Sequence, residues 1–167
     1  PARTATRRGH YGLIVTSDVD NVEYTPPKNN PVVERGDAMS KPSHDDAMLL
    51  VELAGLHAVQ GVGEAGGWVR SDAFIPDYAQ FKAKYPQGSV EALKLSTVLG
   101  FYETLGTLHK HDLINEDLLF DWLAIGVIWN RVKGVVKGIQ AEVGPAMYEN
   151  FEALAEAEVR WTSKRSR

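Results

Sequence analysis

The chain has 167 residues, of which 44% are hydrophobic and 24% are charged, and its formal net charge at pH 7 is -4. This composition is typical of a globular protein, and the length suits one domain with extensions better than two complete domains. Because the sequence has no cysteine, a disulfide framework, a thiolate metal site and a cysteine nucleophile are excluded.

The start of the sequence does not have the pattern of a secretory signal. Its basic residues are followed by an apolar run of only Leu13, Ile14 and Val15, which is shorter than the core of such a signal. Elsewhere no segment supplies the roughly 20 apolar residues that a membrane-spanning helix needs. We therefore expect a cytoplasmic protein without a membrane span.

Residues 1–43 are predicted to form an extended N-terminal arm. Four prolines interrupt any helical pattern in this stretch: Pro26, Pro27, Pro31 and Pro42. Two segments rich in β-branched residues, 11–16 and 19–24, have the composition of a short β-hairpin. An isolated hairpin is only marginally stable in water, so this arm would need a surface to lie on.

Residues 44–160 are predicted to form an all-α domain with about four main helices. Ser43 is suited to cap a first helix over residues 45–60, whose side chains are apolar on almost every side, and such a helix is expected in the middle of a core. The glycines of the segment GVGEAGG are expected to end it. A shorter helix is predicted between Pro76 and Pro86.

Two long antiparallel helices are predicted next, one beginning after Ser89 and one from Asn115 to Val143, with a turn over residues 109–113. A last helix over residues 145–159 is then followed by a basic C-terminal tail, residues 161–167. The second long helix carries the clearest pattern in the chain, in which apolar residues recur at alternating steps of four and three. They are Leu118, Trp122, Ile125, Trp129, Val132, Val136, Ile139 and Val143.

A second apolar surface lies opposite this stripe and is formed by Leu119, Leu123 and Val127, with small residues that include Gly126 and Gly134. A helix with two apolar faces must lie between two layers, and the second layer could be another subunit, the arm, or the first helix of the same chain. We therefore expect Leu119, Leu123 and Val127 to contact a partner. In the arm, the corresponding candidates are Leu13, Ile14, Val15 and Tyr24.

The succession FYETLGTLHKHDLINEDLLFDWL, then Trp129, then YENFEALAE resembles an uncharacterised bacterial all-helical family of the domain-of-unknown-function kind. The resemblance covers roughly Phe74 to Ala157 and rests mostly on packing and capping residues. It implies a helical fold and brings no activity with it.

Several polar or aromatic residues invite a chemical interpretation. Glu52, His57 and Glu103 are candidates for acid or base chemistry, but no second element of a catalytic constellation accompanies them. His109, His111 and Asp112 lack the usual spacing of helical metal ligands. Large aromatic residues at helical spacing, such as Trp122 and Trp129, are more often core than pocket walls. No catalytic residue, metal site or cofactor is assigned.

The function expected from the sequence is that of a non-enzymatic structural or interaction subunit, which self-associates or joins a larger assembly through its arm and helical faces. One alternative is a nucleic-acid-binding protein that uses its basic termini as phosphate contacts. Those residues are Arg3, Arg7, Arg8, Lys164, Arg165 and Arg167. A second alternative is a helical protein that binds a small molecule, or an enzyme, with its site in the core.

Overall fold

The computed structural model describes residues 41–166, and this part of the chain is all-α, as predicted. Its seven helices are α1 (His44–Val59), α2 (Val62–Arg70), α3 (Tyr78–Lys84), α4 (Val90–Lys110), α5 (Glu116–Trp122), α6 (Ile125–Val143) and α7 (Glu149–Arg165). Residues 41–166 contain no strand, and the predicted arm and hairpin lie outside the described residues, except for the last residues before α1. None of the described helices combines the length and the apolar character that crossing a membrane requires.

The predicted helix starts are confirmed by their caps. Ser43, Ser89 and Asn115 each accept a hydrogen bond from the backbone N–H three residues later, which satisfies one of the free donors at a helix start. At Ser43 the cap is reciprocal, because the Asp46 carboxylate accepts the Ser43 backbone N–H at 2.7 Å. Short-range chemistry therefore fixes where α1, α4 and α5 begin.

The estimate of about four main helices is too low, and α2 is one reason. The sequence GVGEAGG was expected to end a helix, yet after a turn at Gly61, whose φ is +67°, the chain forms α2. Val62, Ala65 and Val69 are buried on one side of this helix. Their burial outweighs a glycine cost of about 1 kcal/mol per residue, because tertiary packing routinely overrides helix propensity.

The predicted helix from Asn115 to Val143 is also divided, and the stripe of apolar residues runs across the break. Leu123 is extended, with φ -123° and ψ 131°, so that α5 ends at Trp122 and α6 begins at Ile125. The last helix also differs from its prediction over residues 145–159. Helix α7 continues to Arg165 and includes most of the predicted basic tail.

Most of the core comes from five helices, α2, α4, α5, α6 and α7. Of these, α2 and α7 each pack against both α4 and α6. The two long helices, α4 and α6, are therefore joined mainly through α2 and α7. The side chains with the lowest exposure come from α2, α4, α5, α6 and α7 and include Val69, Val98, Leu119, Val132 and Phe151. Helix α3 packs on α6, where a side-chain Cβ at Gly138 would collide with Tyr78.

Helix α1 lies at the surface, and the prediction that it forms the middle of the core is wrong. Its one buried residue is Leu53, and its principal neighbours are α2 and α5. Burial of a few side chains on one side is enough to hold this helix, so its apolar composition does not require burial on every side.

Candidate interaction surface

Glu103, considered above as an acid or base, caps the start of α7. Helix α7 follows Tyr148, which has a positive φ and supplies no side-chain cap. The Glu103 carboxylate accepts hydrogen bonds from the Asn150 side-chain amide at 2.7 Å and from the Phe151 backbone N–H at 2.9 Å. A carboxylate at this position also interacts favourably with the positive end of the helix dipole. Glu103 therefore has a structural role.

Glu158 does the same for the start of α6, which Ala124 cannot cap. Its carboxylate accepts the Ile125 backbone N–H at 3.1 Å and the Gly126 backbone N–H. A Cβ at Gly126 would crowd the same carboxylate. The sequence prediction attributed this glycine to the close approach of another layer, and that layer is α7 of the same chain. Glu158 itself was missed, because its partner lies 33 residues away in the sequence.

Arg131 caps the opposite kind of helix end. Its guanidinium donates to the backbone carbonyl of Val69 at 3.1 Å and to that of Ser71 at 2.8 Å, and it lies over the Phe74 ring. A cation is favoured at the C-terminal end of a helix, here that of α2. Arg131 thus binds backbone carbonyls, and Glu52, one of the acid or base candidates, is exposed on α1.

Glu52 and His57 do not form an acid-base pair, since they lie on different sides of α1. The half-buried His57 ring contacts the edges of Phe101 and Trp122, with centroid distances of 5.2 and 5.9 Å. Trp129 similarly packs edge-on against Phe151 at 5.1 Å. His57 and the two tryptophans thus join helices together, as the core interpretation of the tryptophans predicted.

The histidines near the end of α4 are separated by their environments. His109 Nε2 lies 2.7 Å from Glu116 Oε1, and its ring faces Phe120, whereas His111 is an exposed residue at the end of the helix. Within residues 41–166 no group of three acidic or histidine side chains is arranged to hold a metal ion. The His109–Glu116 pair instead fastens α5 to the end of α4.

The predicted partner contacts on α5 and α6 separate into three environments. Leu119 is fully buried, Leu123 is partly buried and Val127 is 52% exposed. Leu119 is therefore a core residue, and its assignment as a partner contact is corrected, because its side chain has no surface left for a partner. Val127 keeps an accessible side chain. Leu13, Ile14, Val15 and Tyr24 lie outside the described residues.

The basic C-terminal residues differ in their contacts. Arg165 forms an ion pair with Asp121 at 2.9 Å and lies over the Trp161 ring, 4.4 Å from its centroid. The Trp161 indole in turn donates to Asp117 at 2.7 Å. These bonds tie the end of α7 to α5, so Arg165 is paired with a carboxylate of its own chain. Lys164 is exposed, and Arg3, Arg7, Arg8 and Arg167 lie outside the described residues.

The outer side of α1 exposes a row of apolar side chains. Met48, Val51 and Val59 are 49%, 66% and 87% exposed. Together with Gly55, they recur at steps of three and four, which places them on one side of a helix. We call these four residues the α1 ridge. The sequence pattern showed that α1 is apolar all round, but it could not show which side stays uncovered.

A groove runs beside this ridge, between α1 and α4. It has a volume of about 440 Å³ and is lined by Leu56 of α1, by Gln60 directly after α1, and by one side of α4 from Leu93 to Thr104. A second cavity of about 200 Å³, which shares Leu93 and Thr97, continues it past Val90 towards the start of α2. We call the two together the α1/α4 groove. The lining of the larger cavity is about half apolar and half polar, and grooves between helices are common docking sites for another helix.

Residues 68–161 match the family model described as "Domain of unknown function (DUF4760)". This range includes the segment for which a resemblance to such a family was predicted, and it leaves out α1 and most of α2. No curated protein and no solved structure matches the chain.

Proposed function

We propose, from the premise that this chain belongs to the DUF4760 family of domains of unknown function, that it is a non-enzymatic structural or interaction subunit. In this proposal it self-associates or enters a larger protein assembly. Its helical body supplies a docking face, and residues 1–40 supply further contacts.

The observation that carries the proposal is the uncovered α1 ridge beside the α1/α4 groove. Single exposed apolar side chains are normal on a protein surface, but a continuous apolar area is typical of an interaction site. Leu56, Val90 and Leu93 extend the ridge into the groove, and each is exposed. Burying this area against a partner would be favourable, because apolar surface removed from water contributes roughly 25 cal/mol per Å².

Several charged side chains, including two that the sequence suggested for other functions, Glu103 and Arg165, are used within the fold. Glu103, Glu158 and Arg131 bind helix ends, and Arg165 binds Asp121. Their hydrogen-bonding capacity is used in holding the seven described helices together.

The experiment is to isolate the full-length protein from its own cells under native conditions, measure its mass and identify what accompanies it. We expect a defined complex or a homo-oligomer. A bare monomer that carries no partner at its cellular concentration would contradict the proposal.

The role of the N-terminal residues has its own test, with a chain that begins at Lys41. This chain keeps Ser43 and therefore the cap of α1. We expect weaker association than in the full-length protein, with the helix content of the body unchanged by circular dichroism. Equal association of the two chains would show that residues 1–40 do not contribute.

A further inference from the structure

We propose that the partner of the α1 face is a second copy of this chain, related by a two-fold axis, with the α1 ridge of each copy in the α1/α4 groove of the other. This inference rests on the proposed function and names the partner. It is based on the shape of the two features, on their position side by side and on the area that they offer.

The α1 ridge is shaped for close approach by another backbone. Gly55 lies at its centre, and a Cβ added there would meet no atom of residues 41–166 within 4 Å. Glycine within a helix is destabilising relative to alanine, and nothing in the described fold requires it at this position. By contrast, a Cβ at Gly106 would collide with the Asn150 backbone. A glycine flanked by Val51 and Val59 therefore suits a contact with a second molecule.

The α1/α4 groove is shaped to receive such a ridge. Its α4 side includes the small residues Ser96 and Gly100, and Phe101 and Leu56 add apolar walls. A Cβ at Gly100 would again meet no described atom within 4 Å. From Val90 to Thr104 the groove extends for about 21 Å along α4, which is long enough for four successive ridge positions.

The ridge and the groove are adjacent on the same face, since Leu56 borders both. A two-fold axis beside them brings the ridge of one copy to the groove of the other and makes the same contact twice, as an isologous interface requires. Helix α1 is about 24 Å long, and with α4 the face is about 20 Å wide. These two lengths give a face of about 480 Å², which is close to the roughly 500 Å² per partner at which specific interfaces begin.

Glu52 lies within this face and gives the proposal a distinctive consequence. It is exposed on the same side of α1 as Met48 and Leu56. Moving an ionised carboxylate out of water opposes association unless a partner compensates it. Glu52→Gln is therefore expected to tighten the dimer, whereas a charge added at Val51 should weaken it.

The test is the dimer dissociation constant of the full-length chain, measured by sedimentation equilibrium for the unchanged protein, Val51→Glu and Val127→Glu. Both valines are exposed on helices, 66% at Val51 and 52% at Val127, so neither change should disturb folding. Circular dichroism and thermal unfolding of each variant check this. We expect Val51→Glu to raise the dissociation constant roughly tenfold or more and Val127→Glu to leave it within about twofold.

A dimer that Val51→Glu leaves intact would overturn this contact while leaving the proposed function in place. So would a dimer that Val127→Glu disrupts instead, because the contact would then lie on α6. A full-length chain that stays monomeric at every accessible concentration would overturn the second-copy proposal. The native isolation described above then decides separately whether the chain has a different partner.

Discussion

Individual charged side chains determine where several helices of this protein end. Glu103 and Glu158 accept backbone N–H groups at the starts of α7 and α6, and Arg131 donates to carbonyls at the end of α2. In each case the sign of the charge is that favoured by the helix dipole. These residues also link helices that are distant in sequence, so each contributes to helix formation and to tertiary packing together.

Glu158→Gln tests this role at the start of α6. The amide keeps the shape of the side chain but has one acceptor oxygen in place of two and no charge, so one of the two backbone donors loses its partner. We expect the free energy of unfolding to fall by about 1–2 kcal/mol, as for the loss of a helix cap. Urea unfolding followed by circular dichroism measures it.

Glu156→Gln is the matched control, because Glu156 is on the same helix and forms only an exposed ion pair with Arg160. Its effect should stay within about 0.5 kcal/mol. Equal losses in the two variants would show that the caps do not act as described and that α7 merely responds to loss of charge.

At the scale of elements, α2 depends on groups that lie outside it. Its own sequence is rich in glycine, and its stability comes from buried Val62 and Val69 and from Arg131. A helix of nine residues with this composition would not form alone in water. The element is therefore a product of the tertiary structure.

Arg131→Lys should expose this dependence. A lysine ammonium keeps the charge but cannot reproduce the planar arrangement with which Arg131 meets two carbonyls and the Phe74 ring. We expect the free energy of unfolding to fall by about 1–3 kcal/mol, with an accompanying loss of hydrogen-exchange protection in α2. Lys133→Arg is the control, because Lys133 is exposed on α6, the helix that also carries Arg131. This change should leave the free energy of unfolding almost unaltered. Unchanged protection of α2 in Arg131→Lys would contradict this account.

The elements that could be predicted from the sequence are those whose signals are local. Ser43, Ser89 and Asn115 specify helix starts through side chains only three residues from their partners. The start of α6 could not be found in the same way, because its cap comes from Glu158 in another helix. The break between α5 and α6 was missed for a different reason. The apolar stripe from Leu118 to Val143 keeps its spacing in the sequence even though two residues between the helices are not helical.

The candidate surface could be predicted only in part. Sequence periodicity identified apolar faces that needed partners, but it placed the contacts at Leu119, Leu123 and Val127 and assigned α1 to the core. Which of two apolar faces is covered depends on how seven helices are arranged, and no local pattern records that. Burial shows that Leu119 is internal, whereas Val51 and Val59 remain accessible.

At the scale of the whole described body, the helices differ in how firmly they are held. Helices α2, α4, α5, α6 and α7 supply most of the buried core, whereas α1 adds one buried residue and packs through His57 and Leu53. A weakly buried helix with an apolar outer face is a suitable docking element, because a partner can stabilise it by the same burial that the core does not provide. The proposed dimer contact thus completes the packing of α1.

The core itself should make the fold sensitive to alkali through Tyr102. This residue of α4 stacks on Phe151 of α7 at 4.8 Å, and burial raises the pKa of its phenol to about 12 from an ordinary value of 10.0. Because the folded state holds this proton more tightly than the unfolded state, the proton stabilises the fold. Its contribution to the free energy of unfolding is complete below about pH 10 and is lost as the pH rises towards 12. Two pKa units correspond to about 2.7 kcal/mol.

Tyr102→Phe keeps the stacked ring and removes the proton. Its free energy of unfolding should therefore decline less than that of the unchanged protein between about pH 10 and pH 12, with a difference of about 1.4 kcal/mol at pH 11. Denaturant unfolding of both proteins at several pH values measures the difference, and other tyrosines and lysines cancel because both chains contain them. Parallel declines would mean that the Tyr102 hydroxyl reaches water in the folded state and that the contact between α4 and α7 is more open than its burial indicates.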